Sequence, residues 1–267
     1  MPAHDVIIGA CGGLILWFGW YGFNPGSTLS AMDFEGIGRV ATNTTLAACA
    51  GGLLAMAYGF VLLKKWDLGY TVNGFLAGLV AITCPCYWVS PTGSILIGAI
   101  AGVLVGFGLE LLEWLRIDDP IGAVPVHGFC GIWGTLSLGL FACGSYGVTG
   151  SLAADNSAPL TGLLYGGGAS VLVAQAVGSL IITTATFSVS LAVMYAVKGI
   201  GILRVSLEAE EFGLDLYEHG MPAYPEYQIA ADAVPAGVFA LDNSQTVLPA
   251  APSIDVAQPE AAAASAR

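Results

Sequence analysis

One histidine stands inside an apolar stretch of the sequence, where its ring could act on a small solute. Residues 124–134 read VPVHGFCGIWG, so His127 is surrounded by glycines and apolar side chains. Pro125 removes a backbone donor and predicts a bend, while Gly128 and Gly131 leave room beside the ring. A neutral imidazole has one donor and one acceptor nitrogen, and burial favours that neutral form. His127 is either a core histidine bonded to a backbone carbonyl or, as we favour, part of a pathway for a small polar solute.

A second group with binding chemistry ends the first apolar run, in the stretch WFGWYGFNPGS. Trp20, Phe23 and Ser27 are spaced i, i+3 and i+7, so one helical face carries two aromatic rings and a hydroxyl. Such a face can hold a small cation, although an interfacial aromatic belt would explain Trp20 by itself. Thr83, within a later apolar run, is equally consistent with lining a cavity and with helix packing.

A membrane-spanning scaffold has to position these side chains, and the composition predicts one. Of the 267 residues, 56 % are hydrophobic and 10 % charged, whereas a soluble domain carries about a quarter charged residues. Apolar runs long enough to cross a bilayer core of about 30 Å are the basis for an all-α, polytopic bundle of six transmembrane helices. The predicted spans are 6–23, 40–63, 72–89, 94–115, 120–143 and 163–203.

Two features of the last spans are predicted in more detail. Asp119 is a suitable N-cap and Pro120 suits the first helical position, so the fifth helix should begin there. The stretch 163–203 has no turn signal strong enough to divide it. It is therefore predicted to be one long, tilted helix that reaches the cytoplasm.

Polar and small residues within the spans are predicted to pack helices together. Asn43 begins the glycosylation sequon Asn-Thr-Thr, but its place inside a span favours interhelical hydrogen bonding. Gly98, Gly102 and Gly106 are spaced four apart, which lets helix backbones approach closely. These glycines predict a compact bundle.

The charge pattern indicates the orientation of the chain. Six spans place both ends on one side, and the side richer in Lys and Arg is cytoplasmic. The basic residues on that side are Lys64, Lys65, Arg116, Lys198 and Arg204, with Arg39 opposite. Both termini of this multi-pass cell-membrane protein are thus predicted to be cytoplasmic.

The acidic end of the chain predicts a tail. Ten of the nineteen acidic residues follow Arg204 and account for most of the net charge of −12. Residues 225–267 are rich in alanine and proline, a composition typical of disorder. The predicted organisation is a transmembrane domain over 1–204, a cytoplasmic segment over 205–224 and a disordered tail over 225–267. No nucleic-acid partner, cofactor or metal is expected, and no catalytic constellation indicates an enzyme.

Five stretches in order resemble the ammonium transporters of the Amt/Mep/Rh group. They are GWYGFNPGS (19–27), ATNTTLAA (41–48), NGFLAGLVAIT (73–83), RIDDPIGAVPVHGFCGIWGTL (116–136) and GLDLYEHGMPAY (213–224). The resemblance covers about residues 5–224. It implies the second five-helix repeat and the long final helix of an eleven-helix fold that assembles as a homotrimer in the lipid membrane.

The resemblance also implies roles for individual residues. Phe23 corresponds to an aromatic gate at the outer pore mouth, Ser27 to a hydroxyl that contacts ammonium, and Trp20 to part of the pore wall. Thr83 lies close to the conduction path, and His127 corresponds to the second of two pore histidines. Regulation by PII-type signal proteins is implied for a cytoplasmic segment whose matching residues are Asp215, His219, Gly220 and Tyr224.

The implied function is transport of ammonium or ammonia, with deprotonation at the outer vestibule and a histidine-lined pore beyond it. Because the family's first pore histidine belongs to helices outside the resemblance, this chain is expected to be a fragment that does not conduct alone. Two alternatives remain open at this point: an ammonium sensor, and a non-transporting subunit of a trimer.

Overall fold

The computed structural model describes residues 5–146, 159–221 and 223, and helices dominate these residues. A π-helical segment, Val124–Phe129, leads directly into the fifth α-helix, and a 3₁₀ turn, Leu163–Tyr165, precedes the sixth. The α-helices are α1 Val6–Gly26, α2 Phe34–Leu63, α3 Leu68–Thr83, α4 Pro91–Trp114, α5 Cys130–Phe141, α6 Ser170–Gly199, α7 Leu207–Phe212 and α8 Leu214–His219. The predicted all-α membrane bundle is confirmed.

Five helical stretches in the described part of the chain are long and apolar enough to cross a membrane. They are α1, α2, α4, the stretch Val124–Phe141 and α6. Helix α3 is apolar but has only 16 residues, because Asp67 caps its start and the backbone turns after Thr83. The third predicted span, 72–89, was therefore placed too late and drawn too long.

The chain divides into two compact units, 1–194 and 195–267. In the first unit, α2, α3 and α4 pack most closely on one another. Their contact is made by small residues: a Cβ on Gly98 would overlap the carbonyl oxygen of Ala47, and a Cβ on Gly102 would overlap that of Gly51. The predicted close approach at Gly98 and Gly102 is thus present. The described part of the second unit contains the end of α6 with α7 and α8.

The predicted start of the fifth helix at Pro120 is wrong. The helical segment begins at Val124 with Ala123 as its N-cap, and the Asp119 carboxylate accepts from Ala123 N and Val124 N, both at 2.8 Å. Pro120 lies in a turn before it. The reason is Gly122, whose φ of +74° interrupts the helix.

The sixth predicted helix is also shorter than expected. Gly166 and Gly168 have φ values of +85° and +73°, which end the 3₁₀ turn and delay α6 until Ser170. At the other end, α6 ends at Gly199, and Gly201, two residues later, has a φ of +80°. Glycine adopts this left-handed region at no steric cost. The run of glycines was the turn signal that the hydropathy pattern obscured.

Asn43 shows how a polar side chain fixes the turn after α3. It is fully buried, and its amide donates to the carbonyls of Cys86 and Val89, each at 2.9 Å. Its Oδ1 lies 3.3 Å from the hydroxyl of Ser94 on α4, which also donates to Pro91 O at 2.7 Å. The predicted interhelical role of Asn43 is confirmed.

Candidate functional site

The end of α1 presents two aromatic rings and a hydroxyl, as the spacing predicts. The rings of Trp20 and Phe23 have centroids 6.5 Å apart, and Phe23 is 61 % exposed. Helix α1 continues through Pro25 to Gly26, and Ser27 is its C-cap. The Ser27 hydroxyl donates to the carbonyl oxygen of Phe23 at 2.7 Å.

Thr83 joins this group from another helix. The indole N–H of Trp20 donates to Thr83 Oγ1 at 2.8 Å, and the Thr83 hydroxyl donates to Leu79 O at 2.7 Å. The indole and the hydroxyl are thereby fixed against each other, since each hydrogen has one defined acceptor. Thr83 therefore makes a helix contact, from α3 to α1.

A cavity of about 180 Å³ lies beside this group, and we call it the outer cavity after the orientation predicted from the sequence. Its lining residues come from the end of α1, from α2, from the end of α3 and from the turn that Asn43 holds. They are Asn24, Ser27, Thr28, Val40, Thr83, Cys84, Cys86, Tyr87 and Trp88. Two of the predicted site residues, Ser27 and Thr83, therefore share one cavity.

Asn24 is a residue of this cavity that the sequence reading missed. Its side chain is 1 % exposed, and its Nδ2 donates to Thr44 Oγ1 at 3.0 Å. Its Oδ1 is buried without a hydrogen-bond partner in the structure. Leaving such an acceptor unpaired costs about 1–3 kcal/mol. The only sequence signal for it was an amide side chain inside the FNPGS motif.

Charged groups stand at one side of the outer cavity, around Tyr87. The Tyr87 hydroxyl donates to Asp33, and Arg39 Nε donates to the Tyr87 carbonyl oxygen at 3.0 Å. The Arg39 guanidinium also lies 4.8 Å from the centroid of the Tyr87 ring and 4.2 Å from that of Tyr146. Cation–π contact and hydrogen bonds thus fix the ring that lines the cavity.

His127 lies on the π-helical segment, not on a regular α-helix. Single π-turns are frequent at functional sites, and here Pro125 sits in the same segment. The predicted bend at Pro125 is thus a local widening of the helix. The His127 side chain is exposed on the surface of this chain, so the described residues do not bury the ring as the sequence had suggested.

The exposed ring opens onto a groove of about 660 Å³ between α5 and α6, which we call the histidine groove. Polar side chains of α6 face it at helical spacing: Gln175, Ser179 and Thr183. Ser179 is also held to Thr135 of α5 by a hydroxyl contact of 2.6 Å. The histidine groove and the outer cavity share no lining residue. His127 is therefore not brought together with Ser27 and Thr83.

The predicted regulatory residues lie on and after α8. Asp215 accepts from the backbone N–H of Ala223 at 2.8 Å. His219 is the last residue of α8, and Gly220 follows with φ +67°. Tyr224, the fourth predicted residue, lies outside the described residues. The Asp215 contact closes a short turn over the end of α8.

This turn should depend on pH. The N–H groups of Ala223 and then Leu216 hold the pKa of Asp215 below its ordinary value of 3.8. A lowered carboxyl pKa stabilises the folded turn above pH 3.8, and that contribution is lost as pH falls through the lower value.

We expect Asp215→Ala to speed amide exchange at Ala223 about three- to tenfold at neutral pH, with the difference vanishing in strong acid. Glu218→Ala, on the same helix, is the matched control. Equal exchange rates in all three proteins at neutral pH would contradict the expectation.

Known proteins resemble this chain in sequence. The sequence model of the Ammonium Transporter Family matches residues 1–224. Ammonium transporter Amt2 of Archaeoglobus fulgidus is 44 % identical over 235 residues, which cover 88 % of this chain and 49 % of that protein. Ammonium transporter 1 member 2 of Arabidopsis thaliana is 36 % identical, over 84 % of this chain and 45 % of that protein.

Solved structures agree with the sequence relatives. A protein described as a sensor Amt protein is 33 % identical with a TM-score of 0.67, over 80 % of this chain and 49 % of that one. Mep2 of Candida albicans is 30 % identical with a TM-score of 0.68, over 87 % and 49 %. The chain thus spans about half the length of the curated relatives it matches.

Proposed function

The chain belongs to the ammonium transporter family, and on that premise we propose that it forms one wall of a pathway for ammonium and ammonia. The observation that carries the proposal is the exposed His127 ring on the histidine groove. Ionisable side chains within membrane spans usually face a cavity and mark the path of a polar solute. The imidazole of His127, which faces an open groove, fits that pattern. The two curated relatives named above are ammonium transporters.

The side chains at the end of α1 support capture of the cation, and we call them the outer group: Trp20, Phe23 and Ser27. The face of Phe23 is open to an approaching solute, and the Ser27 oxygen stands one helical turn away. Aromatic faces attract a cation and hydroxyl oxygens accept its hydrogens, so together they replace part of the water that ammonium loses. Phe23 is proposed to close the outer mouth, with Trp20 and Thr83 forming the wall behind it.

Deprotonation at this mouth follows from the cost of desolvation. A bare ammonium ion in a narrow apolar passage pays a large penalty, whereas neutral ammonia pays little. We propose that ammonium loses a proton near the outer group, that ammonia passes His127, and that the proton takes a separate polar route. Potassium is rejected because it has no proton to lose.

The surface of the chain supports the proposal that a second wall is needed. Helix α6 has no buried residue, and α1 buries only Gly13 and Asn24. The histidine groove lies between α5 and the exposed helix α6, so ammonia beside His127 would meet lipid. The chain by itself is therefore proposed not to conduct.

Methylammonium uptake by transporter-deficient cells tests this proposal. We expect background uptake from the chain alone and clear uptake when it is expressed with a polypeptide containing the first five helices of Amt2. Membrane insertion of both polypeptides has to be verified by fractionation. Robust uptake by the chain alone would overturn the one-wall proposal, and background uptake from the inserted pair would overturn transport itself.

We extend the proposal to assembly, location and regulation. The chain would join a homotrimer in the plasma membrane with both termini cytoplasmic, and the Asp215 turn, with His219 and Gly220, would present the surface that a PII-type protein recognises. The transmembrane, regulatory and tail boundaries at 204 and 224 also remain predictions.

A sensor is the second candidate, favoured by the solved relative described as a sensor Amt protein. A sensor would change conformation on binding ammonium without net uptake. A third role, a non-transporting subunit, would be indicated by co-purification with a full-length transporter without any gain in uptake.

A further inference from the structure

Helices α2 and α4 run parallel and end at the same level, on the side of the membrane predicted to be cytoplasmic. Gly98 lies against the backbone of Ala47, and further along the Tyr58 hydroxyl donates to Glu110 Oε2 at 3.1 Å. Both contacts join residues about fifty positions apart in the chain, and the ends of the two helices are separated by the same interval. The last turns of α2 and α4 are therefore neighbours.

An apolar groove of about 460 Å³ lies between these helices, and we call it the α2–α4 groove. Its lining residues are all apolar: Leu54, Ala99, Ile100, Val103, Leu104 and Phe107. Leu54 precedes Lys64, the C-cap of α2, by ten residues, or about 15 Å along the helix. Half of a bilayer's hydrocarbon core is also about 15 Å. An acyl chain that descends from the helix ends therefore reaches the groove.

Basic and aromatic side chains surround the end of this path. Lys64, Lys65 and Arg116 are exposed, and the side chains of Trp66 and Trp114 are 66 % and 77 % exposed. In the part of the chain that the structure describes, a salt bridge forms only in the second unit. The three cations therefore have no carboxylate within 4 Å. Indole rings of this kind lie at the level of lipid headgroups.

The carboxylates near the end of α4 belong to a different surface. Four of them line a separate cavity of about 610 Å³ that contains none of the three cations: Asp67, Glu113, Asp118 and Asp119. Two of these are engaged by backbone donors, since Asp67 accepts from Tyr70 N at 2.9 Å and Asp119 accepts from Ala123 N at 2.8 Å. This cavity shares no residue with the α2–α4 groove.

We propose that the ends of α2 and α4 bind the phosphate of an anionic phospholipid and that one of its acyl chains lies in the α2–α4 groove. Charge complementarity selects this occupant. Each Lys or Arg near a membrane surface strengthens the attraction of an anionic lipid about fivefold, whereas a neutral lipid gains nothing of this kind. The inference concerns the membrane around the bundle and stands independently of the transport proposal.

Lipid binding to the purified chain in detergent can be measured by native mass spectrometry. The chain is titrated with dioleoylphosphatidylglycerol, and dioleoylphosphatidylcholine, which has the same acyl chains, is the blank. We expect the anionic lipid to bind about tenfold more tightly. The double variant Lys65→Gln/Arg116→Gln should lose about tenfold in affinity for the anionic lipid. Lys65→Arg/Arg116→Lys keeps both charges and should stay within about twofold of the parent.

A second pair of variants tests the groove. Val103→Trp fills it with an indole ring and should weaken binding of both lipids about fourfold or more, because each methylene displaced from an apolar surface costs about that factor. Val103 is 43 % exposed, so the larger side chain can be accommodated in the fold. Val177→Trp, at a 51 % exposed position of α6, is the matched control and should bind both lipids like the parent.

The outcomes separate the lipid from other occupants. The proposal stands if the anionic lipid is preferred and both the charge variant and the groove variant weaken its binding as stated. Equal binding of the two lipids, or parent-like binding by Lys65→Gln/Arg116→Gln, would overturn the headgroup site. If Val103→Trp dissociates an oligomer of the chain but leaves lipid affinity unchanged, a second copy fills the groove and the proposal is overturned.

Discussion

His127→Leu is expected to lower methylammonium uptake at least about tenfold in cells where the chain and a first five-helix half transport together. Leucine fills a similar volume but neither donates nor accepts a hydrogen bond. The neutral amine therefore loses a hydrogen-bond partner in the apolar passage. A loss of about 1.4 kcal/mol in the rate-limiting step corresponds to tenfold in rate, and one unmade hydrogen bond is of that size.

Two other variants make this test specific. His127→Gln keeps one donor and one acceptor and should retain part of the uptake. Ile132→Leu changes another residue of the histidine groove without altering its polarity, and should transport like the parent. Parent-like uptake by His127→Leu, at equal expression in the membrane, would contradict the proposed role of the ring.

Gly98→Ala is expected to destabilise the bundle by about 1–3 kcal/mol, and Gly98→Leu by more. A Cβ at position 98 would overlap the carbonyl oxygen of Ala47 and lie 2.6 Å from Ala47 Cα. These are backbone atoms of α2, so no side-chain rotation can relieve the overlap. The helices α2 and α4 would have to separate, which would open the best-packed part of the fold.

The stability test uses the free energy of unfolding of the purified chain in detergent micelles. Gly38→Ala is the matched control, since it lies on α2 with nothing within 4 Å of the added Cβ. A helical alanine at such a site should be neutral or stabilising by up to about 1 kcal/mol. Equal stability of the Gly98→Ala and Gly38→Ala variants would show that α2 and α4 are not held by this close approach.

The sequence predicted the helices well where length and hydropathy decide them. Helix α1 begins at Val6 as expected and is capped by Asp5, whose carboxylate accepts from Ile7 N and Ile8 N. Helix α2 begins at Phe34, earlier than the predicted 40, because Asp33 caps it by accepting from Gly36 N at 2.9 Å. A hydropathy pattern marks where apolar residues lie, whereas a capping side chain decides where the backbone turns.

Backbone conformation was the part that the sequence left open. Pro125 indicated an irregularity in the helix, but whether a proline produces a kink or a π-turn depends on the packing around it. Gly122, Gly166 and Gly168 each take a positive φ. Other glycines in this chain sit in regular helices, so residue type alone did not distinguish the two uses.

The sequence predicted only part of the candidate site. Spacing placed Trp20, Phe23 and Ser27 on one face, and the structure brings Thr83 to Trp20. Asn24 was missed because its importance lies in an unpaired oxygen, which no sequence pattern reveals. The surroundings of His127 depend on how α5 and α6 pack beside it, and a hydropathy pattern does not predict that packing.

The most direct test of the account is an experimental structure of the protein assembled with its second wall in a lipid bilayer. The account predicts a continuous narrow passage from the outer aromatic group past the His127 ring, with a ring nitrogen facing the passage. A ring packed between lipid-facing helices, with no passage beside it, would contradict the account.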